Sequence, residues 1–203
     1  MQVLMTELAT DRARTAAALL ESKGHEIVTC GDGVPRTVSC AALRGESCPL
    51  DRQTIDVALH VERADGPGLA DEGVMCALRR FVPLVVAARG QASAADPFVA
   101  WAAAVCDLDG LEEALTEAAA APLPAHSAAA ARAANTVLAS AGCVTSWQAV
   151  ARRKSGRLRV ELISEQPLDR ELCERSAVRA EGAIRELDAL TASIDVEIVA
   201  PKA

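Results

Sequence analysis

Four cysteines in the first half of the chain are candidate ligands for a metal site: Cys30, Cys40, Cys48 and Cys76. Thiolate sulfur is a soft ligand that selects zinc or the iron atoms of an iron–sulfur cluster, and four thiolates complete either site. Arginines at positions 36, 44, 79 and 80 would offset the negative charge of four thiolates. The chain has no Cys-x-x-Cys pair, so this prediction depends on where the fold places the thiols.

Other interpretations of the cysteines stand beside a metal site. A buried free cysteine packs as a small apolar residue, and this applies to the cysteines in apolar surroundings, Cys30, Cys76 and Cys106. The same thiols could instead be redox-active, or Cys40 and Cys48 could form a disulfide. We predict that Cys143 and Cys173 fill the core of the second half of the chain.

The elements that must position these thiols alternate between strands and helices. Apolar runs predict strands over 2–6, 25–30, 55–61, 82–88 and 102–106, and helical periodicity predicts helices over 11–23, 70–80 and 109–120. Strands that are apolar on both faces indicate a parallel sheet covered on two sides. The fold class is therefore α/β: a small, doubly wound, five-stranded parallel sheet over 1–121, followed by a smaller α+β domain.

The carboxyl ends of parallel strands meet at one edge, which is where such sheets bind ligands. Cys30 ends the second strand, Cys76 sits near the start of the helix over 70–80, and a Cys-rich insertion over about 31–54 contributes Cys40 and Cys48. The four thiols could therefore converge. His60 ends the third strand at the same edge, either as a fifth ligand or as a hydrogen-bonded core residue.

The second domain, 122–203, begins at two closely spaced prolines that cannot continue the preceding helix. Its pattern is α, β, β, α, β, with a hairpin around 154–157. That hairpin carries a basic run, which we interpret as a partner-facing patch: Arg152, Arg153, Lys154 and Arg157. Nucleic-acid binding is not expected, because the chain is acidic and has no helix-turn-helix pattern.

Composition limits the classes of function. The chain has 203 residues, 51% of them apolar, a net charge of −7 and only 2% aromatic residues. This composition predicts a packed globular protein and disfavours base-stacking platforms. It shows no signal-peptide pattern and no membrane-spanning apolar stretch, so we expect a cytoplasmic protein with reduced thiols and no membrane insertion. A preference for arginine over lysine and an enrichment in alanine indicate a GC-rich bacterial genome.

The segment VLMTELATDRARTAAALLESKGHEIVTCGDG resembles the start of a response-regulator receiver domain. In that family phosphotransfer needs paired carboxylates after the first strand, an acceptor Asp ending the third, a Thr or Ser ending the fourth and a Lys ending the fifth. The matching positions here hold Thr6 and Glu7, then His60 or Val61, Ala87 and Ala88, and Cys106 and Asp107. The resemblance implies a pseudo-receiver that cannot be phosphorylated.

The segments ARRKSGRLRVELIS and SIDVEIVAPKA, with the helix between them, resemble the cytosolic domain of cation diffusion facilitators. That resemblance implies a homodimer formed through the C-terminal domain. The family's histidine ligands do not carry over, because no His follows His126.

These observations lead to three hypotheses about function. The first is a non-enzymatic, cytosolic regulatory or sensor protein that binds zinc or an iron–sulfur cluster through the four thiols and acts on a protein partner that the sequence does not identify. The second is a thiol redox protein or enzyme that uses Cys30 or Cys48. The third is a structural zinc scaffold or assembly subunit. No GxSxG, Walker or GxGxxG motif is present.

Overall fold

A computed structural model describes residues 1–6, 8–30, 45, 47–62, 71–89, 96–154, 157–189, 191 and 193–199, without the side chains of Asp71 and Lys154. The chain divides into two compact units, Met1–Ala120 (unit 1) and Ala121–Ala203 (unit 2). Among the described residues, no helix has the length and apolar character needed to cross a bilayer.

Unit 1 contains a five-stranded, all-parallel sheet. Its strands are β1 (Gln2–Met5), β2 (Glu26–Thr29), β3 (Val57–Val61), β4 (Leu84–Ala87) and β5 (Ala104–Cys106), in the order β2-β1-β3-β4-β5. Every residue of β3 and β4 is buried, as expected of central strands covered on both faces. The α/β fold class predicted from the sequence is confirmed.

Among the described residues of unit 1, the helices that flank this sheet are α1 (Asp11–Ser22), α2 (Pro49–Arg52), α3 (Asp71–Arg79) and α4 (Leu111–Ala120). One apolar cluster joins α1 and α4 to one sheet face. A second cluster joins α2 and α3 to the other face. Thr10 caps α1 by accepting a hydrogen bond from Ala13 N, and Gly24, with a φ of 82°, ends it as predicted. Ala16 and Leu20 lie on the buried face of α1, whereas Leu19 is exposed.

The connection from β4 to β5 includes a single turn of 3₁₀ helix, Val99–Trp101. Phe98 packs into the second cluster beside this turn. Trp101 and Val105 are exposed, and the Trp101 side chain has 58% of its surface open to solvent. An apolar surface therefore remains at the β5 end of this face of the sheet.

Unit 2 has the predicted order α, β, β, α, β: α5 (Pro124–Ser140), β6 (Trp147–Lys154), β7 (Arg157–Ser164), α6 (Arg170–Leu187) and β8 (Ile194–Val199). The strand order is β6-β7-β8, with β6 antiparallel and β8 parallel to β7. Alternating polar and apolar residues in β7 produce one buried and one open face.

Both helices of unit 2 pack on the buried face of its sheet. Trp147 and Leu162 lie on that face together with Ile198, as their register requires. These three residues do not supply a dimer surface, because the chain's own α5 and α6 cover them. Trp147 is anchored there by a hydrogen bond from its Nε1 to Ser176 Oγ, at 3.0 Å.

Candidate thiol site at the carboxyl edge of the sheet

The carboxyl edge of the unit 1 sheet brings together residues that follow different strands. Thr6 comes directly after β1 and donates its backbone N–H to Leu59 O in β3, at 3.3 Å. Cys30 comes directly after β2 and donates its backbone N–H to Met5 O, at 3.4 Å. These bonds extend the parallel pairing by one residue and fix both side chains at the edge.

The first turn of α3 closes tightly over this pair. A β-carbon built on Gly73 would lie 3.1 Å from Cys30 Sγ and 3.3 Å from Thr6 Cβ. Contacts this short leave no room for a side chain at position 73 unless a neighbour moves. The absence of a side chain therefore lets α3 approach the thiol of Cys30.

Three of the four predicted thiols contact the same apolar cluster, which includes Leu4, Val28 and Val74. Cys30, Cys48 and Cys76 are each partly buried against it. Cys48 is the N-cap residue of α2. Cys76 lies in the middle of α3 rather than near its start as predicted. Cys40 lies outside the described residues.

The described cysteines are not in disulfide bonds. The free thiol of Cys48 contradicts the Cys40–Cys48 disulfide alternative. Among the same residues, no three His, Cys, Asp or Glu side chains are grouped as ligands of a metal ion. Cys143 and Cys173 contact the core of unit 2, where core-filling cysteines were predicted.

His60 is a buried, hydrogen-bonded residue of β3. Its Nε2 lies 3.2 Å from Asp96 Oδ2, its Nδ1 lies 3.4 Å from Thr6 Oγ1, and its ring meets Phe98 edge-on at 5.2 Å. Because both ring nitrogens face polar partners, this geometry matches the core-residue alternative better than a fifth metal ligand. Asp96 and Phe98 were not identified from the sequence.

At the strand ends that carry the phosphotransfer residues of a receiver, this chain has other residues with other contacts. Glu62, the first acidic residue after β3, accepts a hydrogen bond from Arg89 N at 2.9 Å and so ties β3 to the end of β4. Arg12 donates to Ala88 O across the same edge. Burial raises the pKa of the Cys106 thiol, and Asp107 adds to this, while Arg12 opposes it. Glu7 lies outside the described residues.

The predicted basic patch on the β6–β7 hairpin is neutralised within unit 2. Arg152 lies 3.3 Å from Glu161, and Arg157 lies 3.6 Å from Asp195. The prediction that Arg153 faces a partner is wrong, because its side chain is buried and pairs with Asp188 at 3.0 Å. The side chain of Lys154 lies outside the described residues.

Asp188 is the centre of that buried network. It accepts hydrogen bonds from Arg153 Nη2 at 3.0 Å and from Thr191 Oγ1 at 2.6 Å, and His126 Nε2 lies 3.4 Å away. Burial alone would raise the pKa of Asp188. Hydrogen bonds with His126 and Thr191 and the charge of Arg153 outweigh burial and hold this pKa far below its usual range.

Neither a protein-family model nor a curated protein matches this chain. The chain is therefore not assigned to a family, and the resemblances to receivers and to cation diffusion facilitators remain predictions.

Proposed function

We propose that the protein is a non-enzymatic, cytoplasmic regulatory protein in which a soft metal centre, zinc or an iron–sulfur cluster, forms on Cys30, Cys40, Cys48 and Cys76. The observation that carries this proposal is the contact of three of these thiols with one apolar cluster on one face of the sheet. These three thiols lie on the same side of the sheet, and soft sulfur selects zinc or iron.

Metal binding at these thiols would alter the surface of unit 1. The ligands belong to separate elements, since Cys30 follows β2, Cys48 begins α2 and Cys76 lies in α3. A metal bound to all of them would cross-link these elements and release thiol protons, so its binding free energy would add to the stability of this face. The loaded and empty forms would then present different faces to a protein partner.

The metal content and visible absorption of anaerobically purified protein test this proposal. We expect either absorption near 400 nm from a cluster or a colourless protein with about one zinc per chain. Cys→Ser at 30, 40, 48 or 76 should each lower the metal content. The matched controls Cys143→Ser and Cys173→Ser, in unit 2, should leave it unchanged. Equal metal content in the wild type and all four site variants would refute the proposal.

A thiol redox role for Cys30 or Cys48 is the second candidate. It is favoured because the described cysteines form no disulfide and because no group of metal ligands is present among the described residues. Two thiols would form a disulfide by giving up two protons and two electrons. A peroxide would accept them and be reduced to water and an alcohol. Reversible loss of two alkylatable thiols after peroxide treatment, abolished in Cys30→Ser or Cys48→Ser, would support this role over metal binding.

The remaining parts of the proposal concern phosphorylation and assembly. Since no acceptor Asp occupies the end of β3, incubation with acetyl phosphate and Mg²⁺ should give no acid-labile phosphorylation. Stable labelling would contradict the pseudo-receiver interpretation. We further propose that unit 2 forms a homodimer.

A further inference from the structure

The outward surface of α5 and α6 carries an open groove of about 500 Å³. It is lined by Thr136, Val137 and Ser140 of α5 and by Glu174, Arg175 and Val178 of α6. Val178 has 68% of its surface exposed. The opposite face of α6, with Ser176, Ala180 and Ile184, is buried in the unit 2 core. Val178 therefore points directly away from the unit, beside a space that can receive side chains.

The charges of α6 are arranged antisymmetrically about Val178. Arg175 and Glu181 lie three positions before and after it, and Glu171 and Arg185 lie seven positions before and after it. At eight positions the pair is Arg170 and Glu186. At these three distances, each residue before Val178 carries the charge opposite to its counterpart after Val178. Glu174 and Arg179, which also line the groove, have the uncharged counterparts Gly182 and Ala177.

These counterparts share the outward face of α6. At 3.6 residues per turn, Glu171, Arg175, Glu181 and Arg185 all lie within about 60° of the direction of Val178. Each of these four side chains is at least partly exposed. The charge pattern therefore belongs to one solvent-facing surface.

We propose that a second copy of this chain docks on this surface, with its α6 antiparallel to the first and a two-fold axis passing at Val178. In an antiparallel pair, positions equidistant from the axis face each other. Arg175 then faces Glu181 of the second copy, and Glu171 faces its Arg185. Glu174 faces Gly182 of the second copy, where a β-carbon would meet no heavy atom within 4 Å.

Two other surfaces of unit 2, the open sheet face and the outer edge of β6, are less suited to this role. On the open sheet face, Arg159 already pairs with Glu197, and Arg152 pairs with Glu161. The outer backbone groups of β6 are partly occupied by Leu123 and by side chains of α5. The α5–α6 surface instead combines an exposed valine, a groove and self-complementary charge, which are features of an interface between identical copies.

The same charges also pair along α6, and this sets the expected strength of the dimer. Glu171 lies 3.8 Å from Arg175, and Glu181 lies 2.7 Å from Arg185. Exposed pairs of this kind contribute little, so sharing them with a second copy costs little. Because one helix pair buries a small area, we expect a weak dimer that dissociates as salt is added.

Charge reversal in the full-length protein tests the pairing, with sedimentation velocity over a range of concentrations as the measurement. Glu171→Arg and Arg185→Glu should each weaken the dimer about tenfold, since each places like charges face to face across the axis. The double variant restores opposite charges between copies and should return the dissociation constant to within about threefold of the wild type.

The double variant separates the interface from helix stability. Both substitutions create a like-charge i,i+4 pair within α6, with Arg175 and with Glu181, and the double variant keeps both local defects. Effects on the helix alone would therefore make it weaker than either single variant. Glu165→Arg, with the same charge change outside α6, is the matched control and should leave the dimer unchanged.

Val178→Asp gives a second measurement at the axis. It places two carboxylates opposite each other and should abolish the dimer. Because this position is exposed, the substitution should leave thermal unfolding of the monomer nearly unchanged.

Three results would contradict the proposed interface: a wild type that is monomeric at every concentration, a dimer insensitive to Val178→Asp, or a double variant that dimerises more weakly than both single variants. This interface rests on the proposed function only in that unit 2 forms a homodimer. The metal content of the same samples tests the proposed thiol site separately.

Discussion

Gly73 controls how closely α3 approaches Cys30. We expect Gly73→Ala to destabilise unit 1 by about 1–3 kcal/mol, because the new methyl group would overlap Cys30 Sγ and Thr6. Urea unfolding measures this loss. In a Cys30→Ala background the loss should be smaller, because one of the two close neighbours is removed. Gly182→Ala, a helical position with open space around it, should instead be neutral or stabilising. An equal increase in the free energy of unfolding from Gly73→Ala and Gly182→Ala would contradict the close contact at Gly73.

Asp188 is the residue that balances buried charge in unit 2. Asp188→Asn should lower the free energy of unfolding at neutral pH by about 3 kcal/mol, because it removes the buried carboxylate that pairs with Arg153 at 3.0 Å. Urea unfolding at constant pH is the measurement. Thr191→Ser, which keeps the hydroxyl donor to this carboxylate, is the control and should cost far less.

The same carboxylate predicts how stability depends on pH. Its folded-state pKa lies below the ordinary value of 3.8. Its contribution is therefore complete above that value and is lost as the pH falls toward the folded-state pKa. The wild type should lose stability over this acid range, and Asp188→Asn should lose less over the same range. Parallel acid profiles for the two proteins would contradict this assignment.

Single residues also show which contacts could not be predicted from the sequence. His60 was identified as a core residue or a ligand because it occupies a strand end. Its partners Asp96 and Phe98 lie in a connection with no periodic pattern, and their pairing arises only when β3 and β4 lie side by side. Arg153 was assigned to the surface because a run of basic residues is usually solvated. The alternation of β6 places it on the buried face instead, opposite Asp188.

At the scale of elements, α5 protects the outer edge of β6. Asn135 accepts a hydrogen bond from Trp147 N at 2.7 Å and donates to Trp147 O at 3.0 Å. Further along the edge, Ser127 Oγ accepts from Ala151 N at 2.9 Å. An edge strand with free backbone groups is open to pairing with other chains, so these side chains limit that risk.

We therefore expect Asn135→Ala to destabilise unit 2 by about 1–3 kcal/mol, because two backbone groups lose their partners. Chemical denaturation measures the change, and light scattering at high concentration should show increased aggregation. The matched control is Thr136→Ala, which removes only a hydroxyl bonded to Ala133 O within α5. A similar loss in both variants would argue against the role of Asn135 at the edge.

Most elements were predictable because each carries its own periodicity. Polar and apolar residues mostly alternate in the β6–β7 hairpin, and α6 keeps one apolar stripe, so the order of elements in unit 2 and the hairpin around 154–157 were predicted. The strands of unit 1 are shorter than their apolar runs: β4 spans Leu84–Ala87 within a run over 82–88. Apolar content marks burial, whereas a strand ends where backbone pairing ends. The convergence of the four thiols needs tertiary positions that no local pattern contains, and Cys40 falls in the part of the chain outside the described residues.

At the scale of the whole molecule, two units have separate apolar cores. We expect a fragment of residues 121–203 to unfold cooperatively and to retain the self-association of the full chain. A fragment of residues 1–120 should fold and remain monomeric, because α6 belongs to unit 2. Static light scattering of both fragments measures this difference. Self-association confined to the 1–120 fragment would contradict the assignment of the dimer to unit 2.

The distribution of tryptophan gives each unit its own optical label. The chain contains two tryptophans and no tyrosine, and Trp101 lies in unit 1 while Trp147 lies in unit 2. Trp101 is largely exposed, so its fluorescence should be red-shifted and readily quenched by acrylamide. Trp147 is buried with its indole N–H bonded to Ser176, so its emission should be blue-shifted and protected. The emission of the unmodified protein can thus follow the two units separately during unfolding, without an added dye.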